Sequence, residues 1–132
     1  MMGSGVLGKM YRDGDVICRQ GEMGDCMFIV EFGKVEILQR SGADEFCLGT
    51  LDVGDFFGES ALFERNLRNF TARAVGETCV LRLEKKTFMQ RAHEDASFLL
   101  PIMEKLVRRL RRLEEVLVRM GEAARPDLMI TK

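Results

Sequence analysis

The pattern of hydrophobic and polar positions changes near residue 83. From residue 9 to about residue 83, short apolar runs alternate with polar residues and are separated by turn sequences rich in Gly and Asp. These runs predict strands at Val16–Arg19, Cys26–Glu31, Val35–Gln39, Glu45–Leu51 and Ala72–Leu83. Many short strands with glycine at the turns favour a sandwich or jelly-roll barrel over a parallel sheet.

Beyond residue 83 the apolar positions follow a helical period. Glu84–Ala92 predicts a short helix and Ala96–Met120 a longer one, whose apolar residues recur at spacings of four and three. This heptad stripe consists of Leu99, Met103, Leu106, Leu110, Leu113, Leu117 and Met120. The stripe either packs onto the β domain or forms a parallel coiled-coil homodimer through residues 99–120. In the dimer, Arg109 at a g position would pair with Glu114 at the following e position of the partner.

The two periods predict a mainly β fold with C-terminal helices. We expect a β-barrel domain at residues 9–95, a C-terminal helix at residues 96–121 and a tail at residues 122–132. A length of 132 residues suffices for one domain with an appendage. The formal net charge of −1 predicts no general attraction to nucleic acid or to an anionic membrane. No apolar run or signal sequence predicts membrane insertion or export, so a cytoplasmic location is expected.

Cysteine and histidine usage argues against a metal centre. Cys18, Cys26, Cys47 and Cys79 are widely spaced, and His93 is the single histidine. Zinc and iron–sulfur sites need closely spaced ligands, and metal-dependent jelly-roll enzymes need several histidines. We therefore expect free, buried thiols in a reducing compartment, no cofactor and no enzymatic activity.

The segment from Gly58 to Arg68 holds the groups needed to bind a sugar and a phosphate together. Gly58 permits close approach of the backbone to a ligand, and the Glu59 carboxylate can accept a hydrogen bond from a sugar hydroxyl. Ser60 and Ala61 are expected to begin a short helix, whose first amides would donate to an anion. Arg68 adds a permanent positive charge and a planar fork of donors.

This region resembles the phosphate-binding cassette of cyclic nucleotide-binding domains, the family of catabolite-activator-type regulators and kinase regulatory subunits. The resemblance rests on Phe56-Phe57-Gly58-Glu59-Ser60-Ala61-Leu62-Phe63, on Arg68 and on Thr71-Ala72-Arg73-Ala74. Upstream it is similar at Gly14-Asp15-Val16-Ile17, Arg19-Gln20-Gly21-Glu22, Gly24-Asp25, Met27-Phe28-Ile29-Val30 and Gly33-Lys34-Val35-Glu36-Ile37. The resemblance implies a double-stranded β-helix (jelly roll), then a short helix and a long dimerisation helix.

The resemblance also implies individual roles. Glu59 would hold the ribose, Arg68 the phosphate, and Ala61 would supply an amide, with Gly58 and Ser60 adding backbone donors. Asn69 and Thr71 complete the predicted contact set. In members of the family, the C-terminal helix covers the base of the bound nucleotide. Here the corresponding candidates are Arg111, Arg112 and Leu113.

Three residues depart from the family pattern. Asn69 stands where small or hydroxyl residues are usual, Phe70 where small residues are usual, and Leu67 where proline is frequent. Because an amide both donates and accepts hydrogen bonds, Asn69 does not decide between adenine and guanine.

The predicted function is therefore that of a cAMP or cGMP sensor that couples binding to rearrangement of the helix and dimer. It would be the effector domain of a bacterial transcription regulator or a stand-alone signalling module, without direct nucleic-acid binding by this chain. The alternative is a dimerisation module of the same fold that has lost its ligand.

Overall fold

A computed structural model describes residues 6–124, and within that range six strands form one antiparallel sheet. The strands are β1 (Val6–Tyr11), β2 (Val16–Cys18), β3 (Cys26–Ser41), β4 (Asp44–Leu51), β5 (Phe56–Phe57) and β6 (Thr71–Glu84). Their order is β1-β6-β3-β4, with β2 also paired to β6 and β5 to β3. Two helices follow, α1 (Lys85–Glu94) and α2 (Leu99–Ala124). The predicted jelly-roll fold with C-terminal helices is confirmed.

The long pair β3 and β6 separates the core from the outer surface. Side chains alternate along a strand, so Ala72 and Ala74 of β6 point to the core while Thr71 and Arg73 point away from it. The core cluster consists of Cys18, Cys26, Phe28, Val30, Val35, Phe57, Ala72 and Val80. Burial of this cluster gives the sheet its main stabilisation.

Strand β3 corrects one prediction. The expected strands Cys26–Glu31 and Val35–Gln39 are a single strand, and the intervening glycine is a bulge where the pairing with β6 shifts. Gly33 has a φ of 83°, and a Cβ there would overlap the Glu77 carbonyl oxygen and Thr78. A left-handed glycine in a bulge has the same sequence signature as one in a turn, which explains the error.

Cysteine placement partly corrects another expectation. All four thiols are free, and Cys18 and Cys26 are buried as expected. Cys47 is exposed because it lies on β4, where every residue before Leu51 is exposed, and Cys79 is half-buried.

The chain divides after Gln90 into two compact units. In the second unit the Asp95 side chain accepts from the Ser97 backbone N–H at 3.0 Å and the Ser97 hydroxyl at 2.6 Å. This cap opens a short 3-10 turn, Ala96–Phe98, which leads into α2. Helix α2 continues through residues 122–124, which were predicted as tail, and residues 125–132 lie outside the described part.

Most of the heptad stripe on α2 is exposed in the single chain. Leu110, Leu113, Leu117 and Met120 each expose between 58% and 62% of their surface. An apolar face this open is typical of a helix that pairs with another surface.

Candidate ligand-binding site

The cassette begins with a backbone reversal at Gly58. This glycine follows β5, has a φ of 77° and starts the single 3-10 turn Glu59–Leu62. Burial of Ala61 and Leu62 anchors the turn, leaving Glu59 half-buried and Ser60 exposed. The expected short helix is therefore a single 3-10 turn. The Ala61 amide, predicted as a phosphate donor, already donates to the Gly58 carbonyl at 3.2 Å.

Arg68 is the most unusual side chain of this region because it is charged and only 8% exposed. Its Nη2 donates to the Cys26 carbonyl at 2.9 Å and lies 3.7 Å from the Cys26 sulfur. Its guanidinium carbon lies 5.3 Å from the centre of the Phe28 ring, within cation–π range. These neighbours are neutral, so they orient the guanidinium without balancing its charge.

No carboxylate of residues 6–124 forms an ion pair with Arg68. The adjacent thiol does not replace one, since burial raises the pKa of Cys26 and keeps its sulfur protonated. A buried charge is costly unless it is paired, and the cost is removed when an anion binds beside it. The site is thus prepared electrostatically for an anionic ligand.

The backbone of Arg68 is fixed by a short ladder with the loop after β2. The Arg68 N–H donates to the Glu22 carbonyl at 2.7 Å, and the Gly21 N–H donates to the Arg68 carbonyl at 2.8 Å. One step away, the Gly24 N–H donates to the Asn66 carbonyl at 3.2 Å. The arginine therefore starts from a rigid backbone although it lies in a loop.

Two glycines make room for the guanidinium. A Cβ on Gly58 would lie 2.7 Å from Arg68 Nη1, and a Cβ on Gly24 would lie 3.2 Å from Arg68 Cζ. Side chains at either position would displace the charged group. Glycine at these two places is thus a requirement of the arginine's position.

A concave space of about 80 Å³ lies beside the cassette. Its walls include four predicted site residues or neighbours that the fold brings together: Ser60, Ala61, Arg68 and Asn69. Phe70 also lines it while packing edge-on against Phe57, with ring centres 6.2 Å apart. The bulky departure at Phe70 therefore serves both the core and the cavity wall.

The remaining predicted contacts are placed differently. Thr71 points to the outer face of the sheet, where its hydroxyl accepts from the Gln20 N–H at 3.0 Å, so the fold does not bring it to Arg68. The cause is strand alternation, because β6 starts at Thr71 and turns it away from Ala72. Arg111, Arg112 and Leu113 are exposed on α2 in the second unit, and their role as a lid stays a prediction.

Sequence reasoning missed three residues that hold Arg68: Gly24, Cys26 and Phe28. Cys26 lies 42 positions from Arg68 in the chain, so only the tertiary fold joins them. The one available signal was the alternation that places Cys26 and Phe28 on the same face of a strand.

The fold agrees with comparison to known proteins. A family model described as cyclic nucleotide-binding domain matches residues 9–95. The chain belongs to this family. Over 79 residues it is 38% identical to the cAMP-dependent protein kinase regulatory subunit of Blastocladiella emersonii, covering 59% of this chain and 20% of that protein. Over 84 residues it is 38% identical to a cGMP-dependent protein kinase of Drosophila melanogaster, covering 61% and 9%.

Solved structures give the same placement for this cyclic nucleotide-binding domain. The Catabolite Activator Protein of Thermus thermophilus superposes with a TM-score of 0.79 at 28% identity, covering 89% of this chain and 56% of that one. The regulator CLP of Xanthomonas campestris shares the fold, with a TM-score of 0.73 at 22% identity over 94% and 62% of the two chains. The matched segment spans a fifth or less of the kinase relatives quoted above.

The described residues form neither a metal site nor a membrane span. Within residues 6–124 no group of three or more His, Cys, Asp or Glu side chains could hold a metal ion. None of the described helices is long and apolar enough to cross a membrane.

Proposed function

We propose that this domain binds cAMP or cGMP without chemical conversion and reports its occupancy through α2. The observation that carries the proposal is the buried guanidinium of Arg68, which has no carboxylate partner among the described residues and is framed by two glycines. A cyclic phosphate supplies the missing negative charge and two exocyclic oxygens that suit the planar fork of an arginine.

Glu59 supplies the second contact. Its carboxylate sits on the turn directly after Gly58, half-buried, nine positions before Arg68. An ionised carboxylate only accepts hydrogen bonds, so it selects the ribose hydroxyl of a nucleotide. Asn69 lines the same cavity as Arg68 and can meet either purine, so both cyclic mononucleotides remain candidates.

Calorimetric titration with cAMP and cGMP tests the phosphate contact. Arg68→Ala is expected to weaken binding by about 2–5 kcal/mol, because it removes one partner of a buried charged pair. Arg65→Ala is the matched control, since Arg65 is an exposed arginine of the same loop. Thermal unfolding without nucleotide checks that both variants fold. Equal affinity in Arg68→Ala and Arg65→Ala would refute the phosphate role.

A nucleotide analogue tests the ribose contact. The wild-type domain should prefer cAMP to 2′-deoxy-cAMP, because the analogue lacks the hydroxyl from which the Glu59 carboxylate would accept a hydrogen bond. Glu59→Gln should lose most of this preference while keeping its dependence on Arg68. An unchanged preference in that variant would remove Glu59 from the ribose site.

We further propose that two copies pair through the heptad stripe of α2, defined by residues 99–120. The exposure of Leu110, Leu113 and Leu117 in the single chain supports this arrangement. A ligand can change the pairing only by the difference in its affinity for the two arrangements. Such a dimer would be the sensory part of a bacterial transcription regulator or a stand-alone signalling module.

Light scattering coupled to size exclusion tests the dimer. Leu110→Glu places a charge in the stripe and should give monomers, whereas Arg108→Glu, an exposed position outside the stripe, should stay dimeric. A monomeric wild-type protein would refute the pairing. Dimers that bind neither nucleotide would favour the ligand-free dimerisation module instead.

A further inference from the structure

The outer face of the sheet carries a second concave surface that the cassette does not use. This arginine trough, of about 520 Å³, is lined by Val16, Arg19, Gln20, Gly21, Leu38, Arg40, Glu45, Thr71 and Arg73. It lies on the side of the sheet to which Thr71 and Arg73 point, opposite the core side of Ala72. A volume of this size is in the range of small-molecule sites, roughly 300–1,000 Å³.

Strand register assembles the trough from four separate stretches of chain. Arg73 of β6 lies opposite Val16 on one side and Glu36 on the other. Arg40 lies opposite Glu45 where β3 meets β4. These pairings place the guanidiniums of Arg40 and Arg73 on one surface although the two residues are far apart in the sequence.

The Gln20 side chain joins the loop after β2 to the end of β3. The Gln20 side-chain amide donates to the Arg40 carbonyl at 3.1 Å, and its oxygen accepts from the Arg40 N–H at 2.8 Å. The Gln20 backbone N–H donates to the Thr71 hydroxyl oxygen at 3.0 Å. Because the Thr71 hydroxyl accepts this bond, its own proton is available for donation to a ligand. Arg19 directly precedes Gln20, so its backbone is held by the same contacts.

The charges lining the trough do not balance. It has three arginines and one glutamate, Glu45, which lies 3.5 Å from Arg40 and 4.0 Å from Arg73. Both distances exceed the roughly 2.7–2.9 Å of a charge-assisted hydrogen bond, so this carboxylate holds neither arginine tightly. Arg19 forms no ion pair with any carboxylate of residues 6–124. Arg73 is neutralised by Glu36, whose Oε2 lies 3.0 Å from Arg73 Nε, so the positive charge available to a ligand comes from Arg19 and, in part, from Arg40.

We propose that the arginine trough binds a phosphate-bearing small anion at a site separate from the cassette. The guanidiniums of Arg19 and Arg40 contact the phosphate oxygens, and the Thr71 hydroxyl donates a further hydrogen bond. Val16 and Leu38 form an apolar floor for the rest of the molecule. Glu45 competes with the anion for the arginines and thereby weakens its binding.

Titration with inorganic pyrophosphate at about 0.15 M salt, followed by amide chemical shifts, tests this site on the whole chain. Saturable shifts are expected at Arg19, Gln20, Gly21 and Thr71. Arg19→Ala should weaken binding about tenfold, the effect of losing one charge-assisted contact. Arg12→Ala, which removes an exposed arginine outside the trough, should leave affinity unchanged. Arg68→Ala, which removes the anion contact of the cassette, should leave the affinity followed at Arg19 and Thr71 unchanged, which separates this site from the cassette.

Glu45→Gln gives a second test that a folding defect cannot imitate. Removing the competing charge should tighten pyrophosphate binding several-fold. The proposal is overturned by an affinity weaker than about 1 mM. Equal losses in Arg12→Ala and Arg19→Ala would overturn it as well, as would a loss confined to Arg68→Ala.

Discussion

Replacing Gly58 with alanine should have two effects: it strains the backbone, and it displaces Arg68, the proposed phosphate contact. The residue has a φ of 77°, a conformation that costs a non-glycine residue about 1–2 kcal/mol. The new Cβ would stand 2.7 Å from Arg68 Nη1, so the guanidinium must retreat until the two atoms are at least 3.4 Å apart. That movement weakens its 2.9 Å bond to the Cys26 carbonyl.

Gly54→Ala is the matched control because its φ is 91° and a Cβ there meets no atom within 4 Å. Backbone strain should cost both variants about 1–2 kcal/mol of unfolding free energy in urea, and Gly58→Ala should lose somewhat more because its Arg68–Cys26 hydrogen bond is weakened. Only Gly58→Ala should also lose affinity for cAMP or cGMP, by about 10–100-fold, equivalent to about 1.4–2.8 kcal/mol. Nucleotide binding at wild-type strength in Gly58→Ala would refute the claim that this glycine positions Arg68.

Two further predictions concern stability. Thr78 is fully buried, and its hydroxyl donates its one proton to the Lys34 carbonyl at 3.0 Å. Thr78→Val should therefore cost about 1–3 kcal/mol in urea unfolding, whereas Thr50→Val at an exposed position should cost almost nothing. Burial raises the pKa of the Cys18 thiol from 9.0 to about 11. The unfolded chain therefore loses this proton first, and stability should fall by about 2–3 kcal/mol as pH rises through that window. The urea midpoint should fall between a pH below 9.0 and pH 11, and the fall should be smaller in Cys18→Val than in the wild type. An equal fall in the two proteins would contradict the assignment of this effect to Cys18.

The sequence was sufficient to predict the fold class because its two hydrophobic periods are distinct. Alternation before residue 83 gives strands, and the heptad stripe after it gives α2. The prediction of a turn at Gly33 was wrong, because a bulge within one strand and a turn between two strands both need a left-handed glycine. Strand β5, with two residues, is too short to leave any periodic signal.

The candidate site could be predicted as a list of residues but not as an environment. Gly58, Ser60 and Arg68 are near one another in the chain, so local pattern places them together. The neutral surroundings of Arg68 come from Cys26 and Phe28 on a distant strand, and the arginine trough likewise depends on register between β2, β3 and β6. Long-range pairing of this kind has no signature in a single sequence.

The pairing of β1 with β6 constrains how this domain is made. Val6 lies opposite Leu83, and Tyr11 lies opposite Thr78, so β1 cannot pair with β6 until about 70 further residues have been synthesised. Folds rich in such distant pairs form slowly, over milliseconds to seconds. While the chain is still emerging, β1 and β3 both lack the partner that will lie between them, and their open edges are open to wrong pairing. Strand β6 ends at Glu84. We therefore expect the chain to become resistant to aggregation once residue 84 has emerged from the ribosome.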